Sequence, residues 1–513
     1  MNLKKILPSL FLLPLAACHG IGEKGEAPPA QAERPNVLFI SIDDLRPSLG
    51  VYGDTLAITP HMDRLADSSR VFLGAYSQQA VCGPSRASLL TGKLPDNIRV
   101  WHNRNLFRDT RPDIVTLPQL FKNNGYHTAS MGKIFSGDPR EEDPVSWSVP
   151  FILRQDGWRN YVNHSGRGKG PAFEAADVPD DGYPDGKVTN LAVAALKDYK
   201  ENGTPFFLAV GFFKPHLPFN APKRYWDLYD PAVFELERQP RRVQGAPDLA
   251  YRPHRELGGY SDVPANERVN PELARTLRHG YYACVSYIDA QVGRLMETLD
   301  ELGLAENTII VLWGDHGFAL GEVSRWAKGT NFELDNRVPL MIRAPGMMKP
   351  GVPTEALVEL VDIYPTLAGL ANLPMPGDLD GTTLKPLLSD PSAPGREFAL
   401  SQFARPGNPR TPEVMGYSIR NVTHRYTRWV NFSDKKTVAE ELYDYTDGKS
   451  VARMDAFLIE HVNVVDQRAQ ADSLAQLRSA MDAQLAARSE VFAAQGKSAR
   501  PDKGARAKRE RGE

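Results

Sequence analysis

Three apolar segments of the sequence end abruptly in charged residues, and this feature constrains the fold more than any other. The segments are PNVLFISIDDLRP (35–47), TPFFLAVGFFKPHLPF (204–219) and NTIIVLWGDHGFALGE (307–322). Short runs that are apolar throughout, without alternation, are typical of strands buried on both faces. Helical patterns separate them, such as DIVTLPQLFKNNGY (113–126) and the long segment 270–302. This order predicts an α/β fold with a large mixed, mostly parallel sheet between helices.

The residue pattern of the chain changes after about residue 395. Segments 397–404, 415–432 and 439–446 have the composition of antiparallel strands, and 464–495 has the pattern of a closing amphipathic helix. With 513 residues the chain exceeds what one hydrophobic core normally holds. We therefore expect a large domain over 35–395 and a smaller C-terminal α+β subdomain over 396–495.

The N-terminus predicts export. MNLKK is positively charged, ILPSLFLLPLA is apolar but too short for a mature membrane span, and LAAC ends in Cys18. This pattern resembles a bacterial lipoprotein signal over 1–17, with cleavage before Cys18 and lipidation of its thiol; a plain secretory signal is the alternative. Residues 18–34 are then a flexible tether. Both interpretations place the protein in the periplasm or cell envelope.

The charge of the chain argues against nucleic acid as a partner and marks a basic C-terminal segment. The formal net charge is −2, which gives no electrostatic reason for nucleic-acid binding. The basic segment 496–513 is expected to be a solvated, disordered end. No second long apolar run occurs in the sequence, so membrane contact is expected only through the lipid anchor.

Cysteine usage singles out Cys82. If Cys18 carries lipid, only Cys82 and Cys284 remain, and Cys284 lies in a helical pattern as a small core residue. A bridge between them is not expected, so Cys82 is an unpaired thiol in an oxidising compartment. In AVCGPSRASLLTGKLP (80–95) Pro84 suits a first helical turn, which places Cys82 at a helix N-terminus. A buried cysteine, a helix cap and a cysteine nucleophile paired with a histidine remain open.

Acidic residues follow two of the predicted strands. Asp43 and Asp44 come after the first, and Asp315 and His316 come after the third. Ligands bind beyond the carboxyl ends of parallel strands, so these side chains should meet. Three bare carboxylates together would repel one another, but a hard divalent cation makes the arrangement favourable. Ca²⁺ is expected, with Mg²⁺ as the alternative, and zinc would prefer more His or Cys ligands.

CGPSR followed by ASLLTGK resembles the signature C-x-P-S-R of the type I sulfatases, which directs oxidation of the cysteine to Cα-formylglycine. The resemblance extends over residues 35–445, through NVLFISIDDLRPSLGVYGD, PFFLAVGFFKPHLPF, CVSYIDAQVGRL, DHGFALGE and VELVDIYPTLAGLA. It is strongest to the branch that removes the 2-O-sulfate of iduronate. It implies the alkaline phosphatase superfamily fold, with 35–395 as catalytic domain. It also implies a maturation partner, either a formylglycine-generating or an anaerobic sulfatase-maturing enzyme.

The resemblance also implies roles for individual residues. The hydrated aldehyde formed from Cys82 would offer one hydroxyl to attack sulfur and a second to expel sulfate. Arg86 would orient that residue, and His216 in KPHLPF would protonate the leaving oxygen. Lys133 in SMGKIF and Lys328 in RWAKGT would hold sulfate oxygens. The Ca²⁺ ligands would be Asp43, Asp44, Asp315, His316 and the modified Cys82.

One position departs from the family pattern. A histidine usually follows the GK motif, but GKIFSGD has Ser136 there. That histidine is thought to help release sulfate, and serine is a poor base. A metal-ligand carboxylate or another histidine, His102 or His127, could substitute, and otherwise turnover is expected to be slow at sulfate release.

The substrate is less defined by the sequence. RVWHNRNLFRDTR (99–111) predicts a loop near the site in which His102 and Arg104 could bind a uronate carboxylate or a sulfated sugar. A surface loop whose charges are only solvated is the alternative. Phe318 could stack on a sugar or merely pack. The expected partner is a sulfated oligo- or polysaccharide, either with 2-O-sulfated uronate or of the algal ulvan type. A phosphatase or phosphonate hydrolase of the same superfamily, or an inactive glycan-binding lipoprotein, are the alternatives.

Overall fold

The computed structural model of the chain describes residues 34–136, 142–152, 159–165, 169–234, 242–251, 256–264, 269–408, 411–446 and 460–498. The predicted signal peptide, Cys18, the tether up to residue 33 and the tail from residue 499 lie outside these described residues. Residues from Pro35 onward group as one compact unit. The boundary at 395/396 therefore stays a prediction.

The strands and helices follow the predicted order. The strands are β1 (Asn36–Ile42), β2 (Arg70–Tyr76), β3 (His127–Gly132), β4 (Phe173–Glu174), β5 (Phe206–Phe212), β6 (Phe219–Asn220), β7 (Thr308–Gly314), β8 (Ala319–Leu320), β9 (Trp326–Ala327), β10 (Arg337–Val338), β11 (Leu340–Arg343), β12 (Thr354–Glu359), β13 (Ala399–Asn408), β14 (Thr411–Arg420), β15 (His424–Asn431) and β16 (Thr437–Asp444). The helices are α1 (Pro60–Asp67), α2 (Cys82–Thr91), α3 (Pro95–Ile98), α4 (Phe107–Thr110), α5 (Leu117–Asn123), α6 (Pro184–Asn202), α7 (Lys223–Trp226), α8 (Pro271–Glu301), α9 (Glu333–Asn336), α10 (Ile363–Leu370), α11 (Lys385–Ser389) and α12 (Ala471–Ser498).

The main sheet has a parallel centre and a mixed edge. Its strand order is β10-β2-β11-β7-β1-β5-β3, with β12 also paired to β2. Strands β7, β1, β5 and β3 run parallel to one another. Strand β11 is antiparallel to both β7 and β2. The predicted mixed, mostly parallel sheet is confirmed, and its parallel centre brings four carboxyl strand ends to one edge.

Both faces of the sheet are buried, as the apolar runs predicted. Along β1, Leu38 and Ile40 belong to the core on one face and Val37 and Phe39 to the core on the other. Successive side chains of a strand point to opposite faces, so an apolar run throughout requires cover on both sides. Helices α6 and α8 pack on the first face, and α2, α5 and α10 on the second.

Helix α2 carries Cys82 at its first position. The helix ends before Gly92, whose φ of +67° lies in the left-handed region that glycine adopts without strain. Every residue of the helix is buried. Burial of the whole helix fixes its N-terminus firmly against the edge of the sheet.

The C-terminal part forms its own sheet. Strands β13, β14, β15 and β16 are antiparallel in that order. Helix α12 packs on this sheet through Leu474, Leu477 and Met481, which contact Met415 and Ile419 within one apolar cluster. The predicted small α+β unit is confirmed in its content, with α12 beginning at Ala471.

Cys82 and Cys284 are both buried and unpaired, in agreement with the expectation that they do not form a bridge. None of the helices within the described ranges combines the length and the apolar character needed to cross a membrane.

Candidate active site

Four neighbouring strands deliver charged side chains to one point. Asp43 follows β1, and Asp315 follows β7; Ile42 and Gly314, their preceding residues, are paired in the sheet. Lys133 directly follows β3, which pairs with β5, and His216 lies four residues past the end of β5. The structure thus brings together, at the carboxyl edge, residues that are far apart in the sequence.

Cys82 lies in the middle of these groups. Its Sγ is 3.3 Å from Asp43 Oδ1 and 3.4 Å from His316 Nε2. The side chain is almost fully buried. Burial, with a contribution from the Asp43 carboxylate, raises the pKa of the thiol.

A set of oxygen, nitrogen and sulfur atoms converges there. Ligand atoms of Asp43, Asp44, Cys82 and His316 all lie within 4.8 Å of one another. Asp44 Oδ1 is buried without a hydrogen-bond partner in the described part of the chain, which is costly unless a cation is bound. Burial raises the pKa of Asp44 against the effect of Lys328. The carboxylates of Asp43 and Asp44 are the ligands that hard divalent cations prefer.

His316 is oriented to take part in this set. Its Nδ1 is 3.0 Å from the carbonyl oxygen of Gly317. A carbonyl can only accept, so Nδ1 carries the proton and Nε2 presents a lone pair toward Cys82 and the carboxylates. Burial also lowers the pKa of His316, which keeps the imidazole neutral, as a metal ligand must be.

Asp315 lies beside the cluster with its oxygens occupied by protein donors. Oδ1 accepts from the backbone N–H groups of Asp44 and His316, both at 3.0 Å, and Oδ2 accepts from Arg86 Nε at 2.7 Å. Oδ2 is also 3.7 Å from His316 Nε2. Asp315 is not one of the residues whose ligand atoms lie within 4.8 Å of one another, but it fixes the backbone of two of them.

Arg86 has a different setting from the one the sequence suggested. Its fully buried guanidinium donates to Asp315, and its NH1 donates to the carbonyl oxygens of Lys133 at 2.6 Å and Ile134 at 3.0 Å. NH2 is 3.5 Å from Asp43 Oδ1. Arg86 thus acts on Cys82 through the carboxylates and the segment after β3, by holding them in place.

Two lysines place ammonium groups over the carboxylates. Lys133 Nζ is 2.5 Å from Asp43 Oδ2, and Lys328 Nζ is 2.8 Å from Asp44 Oδ2. Burial alone would lower both lysine pKa values, but the carboxylates outweigh it and raise them. Both side chains therefore stay charged at neutral pH, as anion binding requires.

His216 is held from behind. Its Nδ1 is 2.6 Å from the carbonyl oxygen of Leu217, so Nε2 faces the site. Lys214 Nζ donates to the carbonyl oxygen of His216 at 2.9 Å. The backbone N–H groups of Phe213 and Lys214 donate to the Asp185 carboxylate at 2.7 and 3.1 Å. Asp185, at the start of α6, and Lys214 thus fix the loop that carries His216.

Glu256 is a site residue that the sequence analysis missed. Its Oε1 is 2.9 Å from Lys328 Nζ and 3.2 Å from His216 Nε2. It directly precedes a short 3-10 helix at Leu257–Gly259, and no motif or strand end marks it in the sequence YRPHRELGGY (251–260). Only the folded chain brings it to the site.

Ser136, His127 and His102, which were considered in connection with sulfate release, lie at different distances from Cys82. Ser136 lines a cavity of about 140 Å³ together with Gly83, the neighbour of Cys82. His127 begins β3, whereas Lys133 follows its end, which puts roughly 20 Å of strand between them. The suggestion that His127 substitutes as a base is therefore wrong. His102 remains beside the site.

The loop 99–111 does lie next to Cys82. The backbone N–H of Gly83 donates to Asn103 Oδ1 at 2.9 Å, and His102 and Arg104 flank Asn103. Arg104 is exposed and His102 half-buried. Phe318, in contrast, is fully buried and stacks on Tyr281 with ring centroids 5.8 Å apart. Of the two roles considered for Phe318, the structure shows packing.

Comparison with known proteins identifies the family. Residues 35–373 match the sulfatase family model. The chain belongs to the sulfatase family. Residues 321–484 of this sulfatase also match the model of the C-terminal region of N-sulphoglucosamine sulphohydrolase. The resemblance read from CGPSR is confirmed, and the protein is a hydrolase of sulfate esters.

Relatives and solved structures extend over most of this sulfatase. It is 37% identical over 503 residues to iduronate 2-sulfatase of Homo sapiens, covering 84% of this chain and 91% of that one. It is 31% identical over 410 residues to an ulvan-active sulfatase of Formosa agariphila, covering 77% and 73%. The phosphonate monoester hydrolase of Silicibacter pomeroyi superposes with a TM-score of 0.71 at 25% identity, covering 88% and 95%. The predicted alkaline phosphatase superfamily fold is confirmed.

Proposed function

We propose that this sulfatase removes a sulfate ester from a sulfated glycan, with the 2-O-sulfate of iduronate or another uronate as the preferred group. The observation that carries the proposal is the position of Cys82. Its Sγ lies at a helix N-terminus between Asp43 and His316, with the ammonium groups of Lys133 and Lys328 across the carboxylates. A modified side chain at this point would meet an anion surrounded by positive charge.

We further propose that Cys82 is oxidised to formylglycine and that Ca²⁺ binds beside it. Asp43, Asp44 and His316 would hold the ion together with the modified residue, and Asp315 would complete the set. Bound there, Ca²⁺ supplies Lewis-acid charge for a sulfate oxygen. The hydrated formylglycine supplies a nucleophilic hydroxyl and a second hydroxyl for release of sulfate.

The remaining groups handle charge and the proton. Lys133 and Lys328 bind the sulfate oxygens, and their positive charge is most favourable where negative charge develops in the transition state. His216 presents Nε2 to the ester oxygen and passes a proton to it as the S–O bond breaks. The net reaction consumes one water and gives an alcohol and sulfate. Arg86 keeps Asp315 and the segment after β3 in register during this step.

Two relatives suggest two candidate glycans as the substrate. The iduronate 2-sulfatase relative is the more similar one and covers more of the chain, which favours a 2-O-sulfated uronate. The ulvan-active relative supports an algal polysaccharide as the second candidate, since its alignment also spans most of this sulfatase. His102 and Arg104, on the loop beside Gly83, are the proposed contacts for the sugar.

The cellular location is proposed from the N-terminus alone. A lipid anchor on Cys18 and a flexible segment to residue 34 would tether the enzyme in the periplasm or at the cell envelope. A sulfated polymer from outside the cell is the substrate class that such a location would meet.

Peptide mass spectrometry of Cys82 and a substrate panel test the proposal together. The protein is produced in a host that has a formylglycine-generating enzyme and again in one that lacks it. We expect the aldehyde at Cys82, and hydrolysis of 4-methylumbelliferyl sulfate, only in the first preparation. A panel of 2-O-sulfated uronides and ulvan oligosaccharides then ranks the glycans.

Three results would contradict the proposal. An unmodified thiol in the active preparation would exclude formylglycine chemistry. Faster hydrolysis of a phosphate or phosphonate monoester than of any sulfate ester would favour the hydrolase class of the Silicibacter pomeroyi relative. Binding of sulfated glycans without turnover would indicate an inactive glycan-binding protein.

A further inference from the structure

A single carboxylate oxygen bridges the two groups that must face the leaving alcohol. Glu256 Oε1 lies 2.9 Å from Lys328 Nζ and 3.2 Å from His216 Nε2. The Glu256 side chain is 23% exposed, so it lines the mouth of the site rather than its interior. Under the proposed function, Lys328 binds a sulfate oxygen and His216 protonates the ester oxygen. Glu256 therefore marks the leaving-group side.

Binding of a sulfate ester competes with both of these contacts. As a sulfate oxygen approaches Lys328 Nζ, Glu256 has to share or lose this donor, and the ester oxygen takes the place of the carboxylate next to His216 Nε2. A largely buried carboxylate that loses donors to an incoming anion is unfavourable, by desolvation and by like-charge repulsion. A substrate with a hydrogen-bond donor at this position replaces the donor that the Glu256 carboxylate loses.

The backbone that carries this carboxylate is held by a lysine. Lys169 Nζ donates to the carbonyl oxygen of Glu256 at 2.8 Å. The same ammonium lies 4.4 Å from the ring centroid of Tyr260, which is itself buried. Lys169 thus links the backbone of Glu256 to the buried Tyr260.

A second metal ion is not the explanation for this cluster. Ligand atoms of Asp44, His216 and Glu256 lie within 4.8 Å of one another. However, Lys328 Nζ stands 2.8 Å from Asp44 and 2.9 Å from Glu256. The ammonium already supplies the positive charge between these carboxylates.

We propose that Glu256 is a specificity-determining residue that selects sulfate esters with a hydrogen-bond donor, a hydroxyl or an ammonium, on the carbon next to the ester. The inference rests on the proposed function and deepens it. The nearest polar group that a sugar offers to Oε1, once its ester contacts His216 and Lys328, is the substituent of the adjacent carbon. A second anion at that position, such as a vicinal sulfate, is disfavoured by the carboxylate.

The test compares matched substrates in matched variants. Methyl α-L-iduronoside 2-sulfate and its 3-deoxy analogue differ only in the neighbouring hydroxyl. Their kcat/KM ratio is measured for the wild-type enzyme, Glu256→Ala and Glu256→Gln. Glu306→Ala is the control, because its carboxylate is 97% exposed and pairs only with Arg343 among the contacts the structure shows.

For the wild type and the control we expect loss of the hydroxyl to lower kcat/KM about 10- to 100-fold, the effect of leaving one largely buried acceptor without its donor. In Glu256→Ala the loss should shrink to less than about threefold. Glu256→Gln keeps an acceptor but no charge, and should give an intermediate ratio. Taking the ratio cancels any general effect of the variants on sulfate binding.

Two outcomes would overturn the inference while leaving the proposed function intact. The first is an equal loss in the wild type and Glu256→Ala. The second is tighter binding of inorganic sulfate and both esters by Glu256→Ala with an unchanged ratio, which would make Glu256 a placeholder for the anion. Absence of turnover of any sulfate ester by the mature wild type would instead overturn the proposed function.

Discussion

Replacement of Arg86 by lysine separates the positioning of the site from its charge. The variant Arg86→Lys retains one positive charge but not the planar fork of donors. In the structure the guanidinium donates to Asp315 Oδ2 at 2.7 Å and to the carbonyl oxygens of Lys133 and Ile134 at 2.6 and 3.0 Å. It also donates to Ser41 Oγ at 3.2 Å. An ammonium can replace one or two of these bonds.

The expected magnitude follows from those contacts. Loss of two or three buried hydrogen bonds, one of them to a carboxylate, costs about 3–5 kcal/mol of unfolding free energy. Domains are typically stable by about 5–15 kcal/mol, so the variant should still fold. The two carboxylates it supports, Asp43 and Asp315, become less well oriented. Loss of such supporting contacts lowers metal affinity about 10- to 100-fold.

Arg70→Lys is the matched control for this experiment. Arg70, the first residue of β2, is also fully buried. It donates to the carbonyl oxygens of Leu387 and Met348, both at 2.9 Å. Urea unfolding measures stability, and calorimetric titration of Ca²⁺ into chelator-treated protein measures affinity. Both variants should lose stability, but only Arg86→Lys should lose Ca²⁺ affinity and activity. Equal Ca²⁺ affinity in all three proteins would refute the assignment of Arg86 as the residue that positions the ligands.

Three further predictions concern proton transfer, pH and metal. The imidazole of Ser136→His should fit the cavity of about 140 Å³ beside Gly83. Stopped-flow measurement of 4-methylumbelliferone release should show a burst in the wild type and a faster steady-state rate in the variant. A linear time course of the wild type would contradict slow sulfate release. Burial raises the pKa of Asp289 to about 7, although hydrogen bonds from the backbone N–H groups of Met62 and His61 oppose the rise. The neutral carboxyl group is thus favoured in the folded state. Its contribution to the free energy of unfolding is present below about pH 4 and is lost as pH rises through 7. Urea unfolding between pH 4 and 7 should therefore show a steeper fall for the wild type than for Asp289→Asn, and parallel curves would refute it. Ca²⁺ should raise the melting temperature of the wild type but not of Asp44→Asn, because the buried Asp44 Oδ1 needs a cation partner; an equal rise in both, by scanning calorimetry, would place the ion elsewhere.

The sequence by itself determined the layered fold and the edge of the sheet at which the carboxylates meet. Runs such as NVLFISI (36–42) are apolar at every position, and only a strand covered on both faces accommodates this. Asp43 and Asp315 directly follow two such runs, so parallel pairing alone brings them together. Helix α2 was predictable for a similar local reason, since Pro84 and Gly92 mark its first turn and its end.

Tertiary structure alone decided how the remaining groups are used. Glu256 follows no motif, and the chain path that carries it to Lys328 and His216 depends on long-range packing. Arg86 was expected to orient the modified Cys82, one helical turn away, and in the structure its guanidinium donates to Asp315 and to two carbonyl groups after β3. His127 was a candidate base by composition, and the length of β3 removes it from the site. Local patterns fix which residues end a strand or begin a helix, whereas the partner of a long, charged side chain is fixed by distances across the fold.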